Sequence, residues 1–309
     1  MTLKATKASS LVLSTLNGRE RRGRVHSVYR RTVNVLCDDM TWVSLHPADV
    51  PLHAYCVAIE GWSSSGDDGF LGACVGESVS VDHTRIMLGK AKASIDLEKT
   101  EVWQSRLDPV YGLEPARLVR MGRILRGLLG EVSTESWFLG VVDGQSRPLR
   151  EPLDTLIRTK ISGAVSQLHD SWISGGLDRT LEAMGLIMGL GLGLTPGGDD
   201  FLTGFLGASY CFAHDDKFRE AVFCNIASPL GRTSLPAFFM LKAALAGHYP
   251  ESLADLLHAL GDSDTYVVKS AVNRLSGLGA TSGHDMLAGV LAWFEAAGLC
   301  GVTHETHCH

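Results

Sequence analysis

The densest group of chemically useful residues is one run: Gly189-Leu190-Gly191-Leu192-Gly193-Leu194-Thr195-Pro196-Gly197-Gly198-Asp199-Asp200-Phe201-Leu202-Thr203-Gly204. Glycine costs backbone entropy in an ordinary segment. This density therefore points to a sharp turn, close packing, or backbone laid against a ligand. Thr195 followed by Pro196 reads as an N-cap with a first-turn proline. Asp199 and Asp200 then fall in or just after the first turn, where the helix dipole favours carboxylates. The run predicts a glycine-rich loop entering a helix at about residue 196. Backbone N–H groups around Gly193, Gly197 and Gly198 at such an end suit a small anion, and the two carboxylates could share a divalent cation such as Mg2+ with it. A capped, tightly packed helix start with no ligand is the alternative.

A fainter copy lies near the C-terminus: Gly277-Leu278-Gly279-Ala280-Thr281-Ser282-Gly283-His284-Asp285-Met286-Leu287-Ala288-Gly289. One deletion aligns it with Gly191 to Leu206. In each copy an aspartate (Asp200, Asp285) precedes a glycine (Gly204, Gly289) by four residues, which puts both on one helix face. A glycine there lets another helix approach closely. The simplest picture is two helix starts converging on one site, with Asp200 and Asp285 facing each other across it. Such a site would offer the hydroxyls of Thr195, Thr281 and Ser282, backbone donors including Gly283, and His284 as a proton relay near neutral pH. Asp200, Asp285 and His284 are the catalytic candidates, and Asp199, Asp200 and Asp285 the candidate metal ligands. Chance similarity of two caps, with His284 a satisfied polar residue, is the competing account. Between the copies, Ser228-Pro229-Leu230-Gly231-Arg232-Thr233-Ser234-Leu235-Pro236 carries Arg232, whose planar fork suits bidentate contact with a carboxylate or phosphate. Thr233 or Ser234 would cap the helix that follows.

These loops need elements to hold them. With 309 residues, the chain is long enough for two domains. A hydrophobic content of 45% against 20% charged residues describes a globular protein, and the net charge of -6 gives no general preference for nucleic acid. The most apolar window, Met184 to Leu194, is shorter than a membrane span. Seven scattered cysteines without a C-x-x-C pair suggest reduced thiols in a cytoplasmic protein. Residues 1–18 read as a flexible leader. From Gly23, short runs of β-formers (Val25–Tyr29, Thr32–Leu36, Thr41–Leu45, His53–Ile59, Gly76–Val81, Arg85–Leu88, Ala93–Leu97) describe a small antiparallel sheet or partly closed barrel over residues 19–110. Gly61 to Gly69 reads as a polar loop. From Pro115 the apolar period becomes helical. Helices are expected at about 115–130, 152–174, 177–188, 197–213, 216–227, 235–246, 251–259, 264–275 and 284–298, with Trp137–Val142 a strand or buried loop. The fold class is α+β: the β domain, then a mainly helical anion-binding domain over 111–298.

Arg19, Arg21, Arg22, Arg24, Arg30 and Arg31 make the first of these strands basic. A solvated edge guarded by charge is the expected reason, since no aromatic ladder for nucleic acid accompanies them. His304, His307, Cys308 and His309 look ready for metal but lack the H-E-x-x-H spacing, so residues 299–309 read as a flexible tail.

Gly193 to Gly204, Arg232 to Leu235 and Thr281 to Gly289 together resemble a large bacterial family long catalogued as domain of unknown function 2877. It includes the AllH subunit associated with oxamate carbamoyltransferase in anaerobic allantoin breakdown. The resemblance covers about residues 20–298. Its most specific piece is Gly-Leu-Thr-Pro-x-Gly-Asp-Asp-Phe-Leu-x-Gly, here Gly193 to Gly204. It implies work on carbamoyl phosphate and oxamate, or on oxalurate and phosphate, alongside two partner subunits; further copies of the chain are also expected partners. The Ser-Thr-Arg-Thr loop of ordinary carbamoyltransferases is missing, Arg232-Thr233 being only a fragment. A non-catalytic phosphate, nucleotide or small-anion module and a structural partner subunit are the other readings. Walker and dinucleotide fingerprints are absent.

Overall fold

The structure is a computed structural model that describes residues 2–62, 72–90, 92–130, 132, 135–144, 152–191, 193–213, 216–226, 232–262 and 264–303. The chain divides into two compact units, Met1–Arg106 and Leu107–His309.

The first unit holds β1 (Thr2–Ser9), α1 (Ser10–Leu16), β2 (Arg21–Tyr29), β3 (Thr32–Cys37), β4 (Trp42–Pro47), β5 (Cys56–Ile59), β6 (Ser78–Val81), β7 (Arg85–Leu88), β8 (Ala93–Asp96) and β9 (Glu101–Trp103). The sheet runs β5-β4-β3-β2-β6-β7-β8-β1-β9, and a further β5–β1 pairing closes eight strands into a barrel. The period-two pattern is visible in β7, where Ile86 and Leu88 are buried while Arg85 and Met87 face out. Most pairings are antiparallel, but β1–β8, β1–β9 and β4–β5 are parallel.

Two expectations change here. Residues 2–16 are no loose leader: β1 is the strand that closes the barrel, with Leu3, Ala5 and Ala8 buried. Ser9 then caps α1, accepting the Val12 N–H at 3.1 Å, and its hydroxyl donates to the Ala54 carbonyl at 2.5 Å. The basic strand β2 is no edge either, because it pairs with both β3 and β6. Its arginines are tolerated because alternate residues point outward. Arg22 and Arg24 are exposed, while Arg19 and Arg21 share the Asp39 carboxylate at 3.2 and 3.0 Å.

The second unit is helical: α2 (Pro115–Leu129), α3 (Trp137–Val142), α4 (Pro152–Ile173), α5 (Leu177–Ile187), α6 (Gly197–Phe212), α7 (Asp216–Ile226), α8 (Leu235–Leu245), α9 (Glu251–Asp262), α10 (Thr265–Ser276) and α11 (Ser282–Thr303). Trp137–Val142, expected as strand or loop, is helical because Ser136 caps it, accepting the Leu139 N–H at 2.9 Å. The centre of this unit is α6, where every residue from Gly198 to Phe212 is buried. A helix apolar on all sides needs neighbours on all sides, and α11 is the principal one. Helix α11 runs to Thr303, past the expected end at residue 298. Residues 304–309, with His304, His307, Cys308 and His309, lie outside the described residues, as do Leu192, Ser228 to Gly231 and most of the Gly61–Gly69 loop.

Candidate functional site

The loop before α6 is built on left-handed glycines: Gly189, Gly191 and Gly193 have φ of 73°, 123° and 111°, a region that side-chain-bearing residues rarely adopt. Close approach adds a second demand. A methyl group at Gly189 would overlap the Arg232 carbonyl oxygen, and one at Gly198 the Ile187 carbonyl oxygen. The first-turn donors are largely taken by nearby carbonyls. Gly198 N–H donates to Leu190 at 2.8 Å, and Asp199 and Asp200 donate to Pro196 at 2.9 and 3.3 Å. The N-cap is Pro196 rather than Thr195. Thr195 turns its hydroxyl inward instead, donating to Asp200 Oδ2 at 3.1 Å.

The second loop meets the first. A methyl group at Gly204 would overlap the Met286 carbonyl oxygen, and one at Gly289 the Phe201 carbonyl oxygen. The contact is reciprocal: α6 and α11 cross backbone to backbone, each through the glycine four residues after its aspartate. The crossing brings the helix starts together. Thr195 Oγ1 lies 3.3 Å from Ser282 Oγ, and a Cβ built on Gly197 would sit 2.9 Å from Asp285 Oδ2. The hydroxyls of Ser282 and Thr195 both bond to Asp200, so each loop supplies one.

Three carboxylates are buried here, Asp199, Asp200 and Asp285, at 2%, 4% and 2% exposure. Burial pushes Asp200 from 3.8 up to about 7; the Ser282 and Thr195 hydroxyls oppose the rise, and the charges of Asp285 and Asp199 add to it. Burial likewise raises Asp285 to about 6, against hydrogen bonds from the Ser136 and Thr281 hydroxyls and the Phe138 N–H. The Ser136 hydroxyl donates to Asp285 Oδ1 at 2.5 Å. Asp199 is also raised by burial to about 6, but its oxygens are directed elsewhere. It accepts the Gly189 N–H at 3.2 Å and the Thr233 hydroxyl at 2.5 Å. Asp199 therefore ties the loop to the segment before α8, whereas Asp200 feels the Asp285 charge across the meeting of the two loops.

Consecutive helical residues point about 100° apart, which is why Asp199 does not join that pair. The expected three-aspartate metal set of Asp199, Asp200 and Asp285 does not assemble. Among the described residues, no three His, Cys, Asp or Glu side chains form a group able to hold a metal ion. His284, the candidate relay, has both ring nitrogens buried without a hydrogen-bond partner, and desolvation lowers the ring's pKa.

Arg232 is exposed and donates to the Gly185 carbonyl at 2.9 Å, near the C-terminal end of α5, where the helix dipole favours a cation. Ser234 caps α8 through the Ala237 N–H at 3.2 Å and donates to the Leu194 carbonyl at 2.5 Å. Arg232, Thr233 and Ser234 are thus all fastened to the first loop or to the helix before it. The residue that sequence reasoning missed is Ser136. Its signal was a serine immediately before the apolar run Trp137–Val142, the position of an N-cap.

Residues 187–294 match the family model described as oxamate carbamoyltransferase subunit AllH, and residues 4–102 match the AllH family N-terminal domain. The first match starts just before the Gly189 turn and ends beyond Gly289, so it spans both loops and both aspartates. The chain belongs to the AllH family. No solved structure matches it. Among the described residues, no helix is long and apolar enough to cross a membrane.

Proposed function

We propose that this AllH-family chain is a subunit of a carbamoyltransferase-type assembly that holds a small anion of the carbamoyl phosphate or oxamate class where α6 and α11 begin. The family's description as a subunit supports a protein partner. The observation that carries the site reading is the Asp200–Asp285 pair, buried where hydroxyls of both loops meet, with Asp200 raised to about 7.

The chemistry follows from that pair. When carbamoyl phosphate reacts with oxamate, the amide nitrogen bonds to the carbamoyl carbon and the bond from that carbon to the phosphate oxygen breaks. Phosphate leaves with the electron pair, and the nitrogen gives up a proton. Interacting carboxyls titrate as a unit, so midway between their values of about 7 and about 6 the pair carries about one proton. Its ionised member accepts the proton from nitrogen, and its protonated member donates a hydrogen bond to an oxyanion. Neutralising one carboxyl also removes the repulsion that two buried negative charges would exert on an anionic substrate. The Arg232 guanidinium keeps N–H groups beyond the one given to Gly185 and supplies the further donor, while the hydroxyls of Thr195, Ser282 and Thr281 hold the two carboxyls in place.

In an assay with every subunit present, Asp200→Asn and Asp285→Asn should each abolish turnover while the chain stays folded; unchanged turnover in either variant would sink the assignment. A second reading is an anion-binding module without catalysis. Stabilisation by oxamate or phosphate without turnover in the complete assembly would select it.

A further inference from the structure

We infer that the helical unit carries a second ligand site, in the groove where α2, α4 and α11 meet, and that it takes a small amphipathic carboxylate. The groove is open to solvent and has a volume of about 510 Å3, within the roughly 300–1,000 Å3 typical of small-ligand sites. It is distinct from the aspartate pair, since Phe294 lies about 14 Å along α11 from Asp285 by helical rise.

Its floor is apolar and made by a close helix crossing. Gly122 of α2 sits against Phe294, and a Cβ there would meet the Phe294 Cβ at 3.0 Å. Gly298 of α11 sits against Val119 in the same way, at 3.1 Å from Cγ2. Phe294 is 1% exposed, so it closes the floor from beneath.

The rim selects the sign of the ligand. Arg123 and Arg126 stand on one face of α2, three residues apart. Arg126 is paired with Glu295, which neutralises both. Arg123 is exposed and has neither ion-pair nor hydrogen-bond partner among the described residues. His169 of α4 closes the far side, with its ring on its own neighbour Asp170 at 3.4 Å. One uncompensated guanidinium over an apolar floor fits one carboxylate on a hydrocarbon body, with the fork taking both oxygens.

The test is calorimetric titration of the full-length chain with sodium octanoate, with 1-octanol and inorganic phosphate as companions. Octanoate should bind saturably, and Arg123→Gln should weaken it about tenfold, the equivalent of one charge-assisted contact. Val119→Trp, which fills the groove, should also weaken it. Octanol should bind wild type about tenfold more weakly than octanoate and be indifferent to Arg123→Gln. Because Arg123 is exposed, its replacement leaves the fold intact, and an unchanged melting temperature checks this. The inference is overturned by equal octanoate affinity in wild type and Arg123→Gln, by octanol binding as tightly as octanoate, by displacement of octanoate by phosphate, or by no saturation up to about 10 mM.

Discussion

Asp200→Asn should make the protein more stable at alkaline pH while removing its function. Burial holds the Asp200 carboxyl at about 7 against an ordinary 3.8. That gap of about 3 pH units corresponds to about 4 kcal/mol at 1.36 kcal/mol per unit. The folded-state value lies above the unfolded one, so the stability is complete below about pH 4 and is lost as pH rises through about 7. Asparagine fills the same space and stays neutral throughout. It keeps one oxygen to accept from Thr195 or Ser282 and gives up the other, a loss of about 1 kcal/mol. The variant should therefore be about 1 kcal/mol less stable than wild type near pH 4 and about 2–3 kcal/mol more stable near pH 8. Urea denaturation at a series of pH values measures both. A variant equally destabilised at every pH would mean that Asp200 is comfortably ionised in the fold, and the proton-handling role would fall with it. A gain in stability from removing one polar group marks a residue kept for activity rather than for folding.

Ser136→Ala removes the 2.5 Å hydrogen bond that supports the ionised form of Asp285. It also removes the α3 cap, so the loss should be about 1 kcal/mol near pH 4 and rise to about 2–3 kcal/mol near pH 8; a pH-independent loss would assign Ser136 to capping alone. Gly204→Ala and Gly289→Ala each drive a methyl into a carbonyl of the crossing helix and should destabilise by about 2–4 kcal/mol in a thermal melt. Gly163→Ala in α4, where nothing lies within 4 Å, should instead stabilise by up to about 1 kcal/mol. Anion binding to the aspartate pair should take up protons between about pH 6 and 8, as Asp200 at about 7 and Asp285 at about 6 are pushed further up. Titrations with oxamate in two buffers of different ionisation enthalpy count those protons, and a count of zero would separate the pair from the ligand.

The parts legible in the sequence were those written by period and by glycine. Helix α6 is legible in the Thr195-Pro196 start and the apolar run that resumes through Phe205, Leu206, Ala208 and Tyr210, and the Asp-x-x-x-Gly spacing at 200/204 and 285/289 points to a close helix approach that the structure shows as reciprocal backbone contact. Strand β1 was illegible because its inward residues include Ala5 and Ala8, small side chains with little strand preference. Only closure against β5 and β8 fixes them. Helix α3 was ambiguous because six apolar residues suit strand and helix alike, and the deciding residue, Ser136, stands outside the run.

Side-chain direction follows the helical turn, not residue type. Asp199 and Asp200 are adjacent and chemically identical, yet the turn of one helical residue sends the first to Thr233 and the second to Thr195 and Ser282. Sequence alone made three carboxylates and a histidine look like one cluster. Packing resolves them into a staple, an isolated imidazole and a pair. The pair is also the only one of these features that both loops are needed to build. Neither loop by itself places a hydroxyl of one helix start on the carboxylate of the other, so the repeat gains meaning only through the Gly204–Gly289 crossing. A methyl group at either glycine should therefore change the titration of Asp200 without touching its carboxyl, before it unfolds the chain.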